Sequence, residues 1–116
     1  MNFQQAVQTC FRKYVDFSGR ASRPEYWWFV LAYVIAAFVS GFIHEVLNLI
    51  VALAFLLPLL AVGARRLHDI GKSGWWLLLG LIPVIGGLVL LYFAVQPSQP
   101  EFNEYGPPPT PLIAGF

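Results

Sequence analysis

The stretch ARRLHDIGKSGWWLLLGLIPVIG, Ala64 to Gly86, puts two arginines, a histidine and an aspartate within five positions, then a Gly-Lys-Ser-Gly turn, a tryptophan pair and an apolar run. Whether that run crosses a bilayer decides the fold. The composition favours a bilayer: of 116 residues, 58% are hydrophobic and 11% charged, against about 25% charged in soluble domains. The length suits one domain, and a net charge of +1 argues against nucleic acid, which needs a concentrated positive surface.

As a helix, Trp75 to Val95 would run roughly 31 Å, enough for a hydrocarbon core of about 30 Å. Two more runs precede the quoted stretch. Tyr26 to Ile43 carries no charge and would extend about 27 Å; Val46 to Ala64 is apolar apart from Asn48 and Pro58. Only His44 and Glu45 separate them. One unbroken helix from Tyr26 to Ala64 would be roughly 58 Å, about twice the core, so a tight helical hairpin is expected. The sequence thus predicts an all-α membrane protein with three transmembrane helices, at about 26–43, 46–64 and 75–95, within a membrane domain over 18–96.

All seven Lys and Arg residues fall before the first span (Arg12, Lys13, Arg20, Arg23) or between the second and third (Arg65, Arg66, Lys72). Three spans put both segments on one side, which the positive-inside rule makes cytoplasmic. The N-terminus is then cytoplasmic and the tail, 97–116, periplasmic. Prolines at 97, 100, 107, 108, 109 and 111 make that tail an extended segment. Residues 1–17 mix polar and apolar positions, so they do not read as a cleaved leader. Phe3, Val7, Cys10, Phe11 and Tyr14 recur at helical spacing, predicting an amphipathic helix in the interface; packing against the protein itself is the alternative.

The pairs Trp27, Trp28 and Trp75, Trp76 suit interfacial anchors. Ser22 and Glu25 have capping-box spacing with Pro24 between them, Gly71 can end the second span, and Ser73 can cap the third. Ala32, Ala36 and Ser40 recur every four residues, with Gly41 beside them, a face that admits close helix packing. Pro83, flanked by glycines, predicts a kink in the third span.

Gly71-Lys72-Ser73 resembles the end of a phosphate loop, but Arg66 stands where that motif needs glycine. His68 beside Asp69 has no nucleophile at a meaningful spacing, so no enzyme is expected. His44 and His68 fall on opposite faces and Cys10 is alone, so neither a metal nor another cofactor is expected. Charge pairing is the stronger reading. Asp69 sits near a negative helix end and needs a cation from Arg65, Arg20 or Arg23, and Glu25 can pair with Arg65 or Arg66. The competing use is a head-group pocket for anionic lipid, built from Arg23, Arg65, Arg66 and Lys72.

FSGRASRPEYWWF, ARRLHDIGKSGWWLLLGLIPVIG and FNEYGPPP together resemble the small bacterial inner-membrane proteins called domain of unknown function 805, from about Tyr14 to Pro109. The connection after the first span is shorter here than in many members. The resemblance implies an integral inner-membrane protein and brings no assigned activity. The expected role is a scaffold or accessory protein engaging membrane lipids, a second copy or a membrane partner. Its cytoplasmic cluster is Arg20, Arg23, Glu25, Arg65, Arg66, His68, Asp69 and Lys72. The alternatives are a subunit of an oligomeric channel or transporter and a membrane enzyme acting on lipid.

Overall fold

The computed structural model describes residues 2–107, which form α1 (Phe3–Arg12), α2 (Arg23–Ile43), α3 (Glu45–Asp69), a 3-10 helix (Gly74–Leu81) and α4 (Ile85–Ala94). Local chemistry sets the boundaries. Asn2 caps α1 reciprocally: its side chain accepts from the Gln5 N–H at 2.8 Å, and the Gln5 side chain accepts from the Asn2 N–H at 3.1 Å. Ser22 caps α2 by accepting from the Glu25 N–H at 3.3 Å, but the Glu25 carboxylate turns away to an arginine. α3 ends at Gly71, whose φ of +80° suits glycine; Lys72 N–H donates to Leu67 O at 2.8 Å and Gly71 N–H to His68 O at 3.0 Å.

α2 and α3, of 21 and 25 residues, are each long and apolar enough to cross a membrane. One extended residue, His44, separates them; its Nδ1 accepts from the Val46 N–H at 3.0 Å, and Glu45 already belongs to α3. Asn48 reaches back to donate to Ala37 O at 2.8 Å and Ser40 Oγ at 3.2 Å, which fixes the two helices as an antiparallel hairpin. The small-residue face is used inside the protein. Ser40 is buried, Ala32 and Ala36 are half-buried, and a Cβ on Gly41 would stand 3.4 Å from the Asn48 amide.

The core gathers Cys10, Ala21, Phe29 and Val62, with Val7, Tyr26, Phe55 and Leu59 packed around them. α1 contributes its apolar side to this core. Ala6 and Cys10 are fully buried, and the Phe11 ring meets Phe29 at 5.3 Å and Phe55 at 5.2 Å, both edge-on. α1 is therefore packed on α2 and α3, the alternative to a helix held by the interface alone.

The third run departs from expectation. Trp75 to Val95 is not one span but two short pieces that fold against each other. The 3-10 helix covers about 16 Å and α4 about 15 Å, each near half of a hydrocarbon core. They meet at Pro83 and Val84, where Val84 takes φ +64°, a strained left-handed conformation for a β-branched residue. Pro83 therefore marks a reversal and not a kink. A Cβ on Gly86 would overlap the Leu79 carbonyl, so this close return requires glycine. The chain comes back to where it started, with Trp27 Nε1–H donating to Ala94 O at 3.2 Å. Residues 97–107 are irregular, as their prolines require, yet they dock at the arginine end of the helix pair and do not extend from the opposite end. Pro108, Pro109 and Pro111 lie outside the described residues.

Gly86→Ala should unseat α4 and lower the thermal midpoint in detergent by several degrees. Gly87→Ala, whose Cβ would meet nothing within 4 Å, should leave the midpoint unchanged or raise it slightly. Circular dichroism melts of the two variants check this, and equal effects would refute the tight return.

Candidate functional site

The end of α3 carries an unusual density of buried charge. Arg65, Arg66 and Asp69 are at most 1% exposed, Glu25 is 3% exposed and Arg20 5%. Such charges persist away from water only when paired. Asp69 is the hub: its carboxylate accepts from Arg20 Nε at 2.9 Å, from Arg66 Nη1 at 2.7 Å, and from the Ser98 hydroxyl. The helical partner of Asp69 is Arg66, three residues earlier, and not Arg65. Arg65 turns to the other side of α3, where Nη1 pairs with Glu25.

Backbone carbonyls take up the remaining donors of Arg20 and Arg66, whereas Arg65 Nε and Nη2 are buried without a hydrogen-bond partner among the described residues. Arg20 Nη1 donates to Glu101 O at 2.8 Å and Gly106 O at 3.1 Å, and Nη2 to Gln99 O at 2.6 Å and Asp69 O at 3.1 Å. With Nε on Asp69, this guanidinium is saturated. Arg66 binds Ala94 O at 3.2 Å, Ala21 O at 3.5 Å and Gln96 O, and Arg23 Nη1 binds Val95 O at 3.2 Å. Three segments distant in sequence are thereby tied together: the loop before α2, the end of α3 and the chain after α4.

His68 lies on the edge of the cluster, outside the ion pairs. Nδ1 is 2.9 Å from Gly19 O, the ring stacks on Tyr105 with centroids 3.9 Å apart, and Asn103 Nδ2 donates to the His68 carbonyl at 2.9 Å. Lys72 stands farther out, with Nζ 5.7 Å from the Trp76 ring centre and 5.6 Å from that of Phe93. Of the tryptophans, Trp27 is tied to Ala94, Trp28 meets the Phe3 ring at 5.8 Å, and Trp75 is 78% exposed. The sequence reading had missed Ser98, Gln99, Asn103 and Tyr105. Asn103 and Tyr105 lie in the quoted FNEYGPPP motif, the one sequence signal that marked this part of the tail.

This chemistry suits a clamp better than a reaction centre. Asp69 is engaged by two guanidinium groups, His68 is held by the backbone, and Ser73 accepts from the Trp75 N–H at 3.2 Å as a helix cap. Cys10 lies 3.9 Å from the Glu25 carboxylate, and burial, with that carboxylate second, pushes its thiol from 9.0 up to about 12. Among the described residues, no group of three or more His, Cys, Asp and Glu is placed to hold a metal ion.

Residues 14–107, which include every charged member of the cluster and the docked tail, match the family described as Protein of unknown function (DUF805). The chain belongs to this family. Inner membrane protein YhaH of Escherichia coli (strain K12) is 41% identical over 109 residues, covering 84% of this chain and 90% of the relative. Inner membrane protein YhaI of the same strain is 43% identical over 105 residues, covering 84% of this chain and 89% of the relative. No solved structure matches the chain. The whole of α1, Phe3–Arg12, lies outside the DUF805 match.

Asp69→Asn removes the charge shared by two buried arginines and should cost roughly 3–5 kcal/mol. Glu104→Gln, at an exposed site, should cost less than about 0.5 kcal/mol. Unfolding in detergent followed by tryptophan fluorescence compares them, and similar losses would refute the hub role of Asp69. Cys10 should resist maleimide at pH 8 until the protein unfolds. The folded state holds the thiol proton to about 12 and the unfolded chain releases it near 9.0, so Cys10 should subtract stability as pH rises between these values. Rapid labelling of the native protein would contradict this.

Proposed function

We propose that this DUF805 member is a non-catalytic inner-membrane scaffold or accessory protein that crosses the bilayer twice. α2 and α3 make the crossings, about 31 and 37 Å long, while the 3-10 helix and α4 enter from the charged end and return to it. The observation that carries this reading is the docking of the Gln96–Gly106 backbone onto Arg20 and Arg66, which joins the end of the chain to its beginning. All seven Lys and Arg residues still gather at one end, so the positive-inside rule makes that end cytoplasmic. The tail then shares the cytoplasmic side with α1, in place of the periplasmic tail expected from three spans.

The exterior supports membrane residence. Phe38, Phe42, Ile43 and Val46, exposed at 57–78%, form an apolar surface toward the far end of the hairpin, where only lipid or another apolar helix is a favourable neighbour. At the cytoplasmic end, Arg20, Arg65 and Arg66 are buried and engaged, so contact with anionic head groups falls to Arg12, Lys13 and Lys72 around the rim. The closed cluster acts as a rigid cap that such contacts, or a membrane partner, can use as a platform. A channel or transporter gains little support: the charged groups sit at the two ends of the hairpin, with Glu45 at the far one, and the polar pair within the helices, Ser40 and Asn48, is bonded to Ala37.

Reporter domains fused before Met1 and after Phe116 should both be active on the cytoplasmic side, and a cysteine tag inserted at His44 should react from the periplasm. A C-terminal reporter active only in the periplasm would overturn the two-crossing arrangement.

A further inference from the structure

A cleft of about 450 Å³ lies beside the charged cap, between the last third of α3 and the 3-10 helix. Its walls are mostly apolar, from Phe17, Leu60, Leu77 and Leu78, and the lining residues that carry polar groups are His68, Ser73 and the Trp75 indole. The volume and this balance of many apolar and few polar contacts are those of a small-molecule site. The cleft has a direction. Leu60 and His68 are eight residues apart on α3, about 12 Å along its axis, so the polar groups stand toward the charged end and the apolar walls toward the middle of the hairpin.

His68 supplies the second observation. Its Nδ1 faces the Gly19 carbonyl, which can only accept, so Nδ1 carries the proton in the singly protonated tautomer and Nε2 is the acceptor of that tautomer. The residue is 8% exposed, and Nε2 has no hydrogen-bond partner among the described residues. It points into the cleft, 3.5 Å from where a Cβ on Gly74 would stand. Ser73 Oγ accepts from the Trp75 N–H, which leaves its hydroxyl proton available to donate. A nearly buried acceptor and a neighbouring donor thus cap an apolar trough.

We propose that this cleft holds one acyl chain of a cytoplasmic-leaflet phospholipid whose head group donates an N–H or O–H to His68 Nε2. The occupant is an acyl chain because the Phe17, Leu60, Leu77 and Leu78 walls give a polar ligand nothing to bond, whereas an aliphatic chain loses no hydrogen bonds there. It is a phospholipid chain because its orientation matches the cleft, with the head at the charged end and the tail toward the middle of the bilayer. Ser73 donates to an ester or phosphate oxygen of the same lipid. Leu60 and Leu78, 40% and 55% exposed, stand at the mouth where the chain enters from the surrounding leaflet. This inference rests on the membrane-embedded reading.

The test uses the full chain in vesicles of phosphatidylethanolamine and phosphatidylglycerol, doped with a phosphatidylethanolamine carrying a diazirine midway along one acyl chain. After irradiation, peptide mass spectrometry should find adducts at Leu77 and Ala64 several-fold more often than at Phe38 and Phe42 on the outer face. Leu60→Trp, which fills the mouth from an exposed position, should abolish the cleft adducts and preserve those at Phe42. A matching phosphatidylcholine probe, whose head group has no N–H or O–H, should label the cleft more weakly. Equal labelling of cleft and outer face, or cleft adducts that survive Leu60→Trp, would overturn the site. Equal labelling by the two probes would overturn the His68 contact. Absence of adducts at Phe38 and Phe42 would instead refute membrane embedding itself.

Discussion

The structure depends on neutralising one carboxylate in an unfavourable place. Asp69 is the last residue of α3, where the helix dipole is negative and its own side chain adds to the problem. Removed from water, it needs partners of high charge density. α3 supplies Arg66 one turn away, and the loop before α2 supplies Arg20. Two arginines on one aspartate leave excess donors, and those donors find backbone carbonyls. That requirement draws Gln96, Gln99, Glu101 and Gly106 to the cluster and closes the chain into a cap.

This closure explains why the third apolar run folds back on itself in place of one continuous helix. A straight helix from Trp75 to Val95 would carry the following residues far from Arg20 and leave its Nη groups unsatisfied. The reversal at Pro83 and Val84 lets Ala94 return to within bonding distance of Arg66 and Trp27. Strain at Val84 and the need for glycine at Gly86 are local costs of that return. They are offset by the satisfied guanidinium groups of Arg20 and Arg66, whose desolvation without partners would be far more costly.

Much of this was legible in the sequence because it rests on local rules. Ser22, Gly71 and Ser73 mark helix ends, and each does so in the structure. The two long apolar runs read directly as helices, and the need of Asp69 and Glu25 for arginine partners followed from charge and dipole. What was hidden depends on contacts without a residue signature. A carbonyl of Gln99 or Gly106 looks like any other carbonyl, so the docking of the tail on Arg20 left no mark beyond the FNEYGPPP motif. A hydropathy window also averages over Gly80, Pro83, Gly86 and Gly87, counting two short pieces as one span. Their clustering was the available signal, and its correct meaning was a reversal. The choice of Arg65 by Glu25 was equally open, since Arg66 is adjacent in sequence but leaves α3 on another side.

Burial of the arginines also separates the fold from any ligand role. A head group approaching the cap meets guanidinium groups already bonded to carboxylates and carbonyls, and displacing those contacts would expose Asp69 to two unpaired cations or the reverse. The exposed edge of the cap is different. The tight turn from Gly71 to Gly74 ends α3, starts the 3-10 helix and holds the two apart far enough to leave the cleft beside His68. One short glycine-bounded turn therefore divides the molecule's polar chemistry. On its inner side the buried ion pairs hold the chain together, and on its outer side His68 Nε2 and the Ser73 hydroxyl face the cleft.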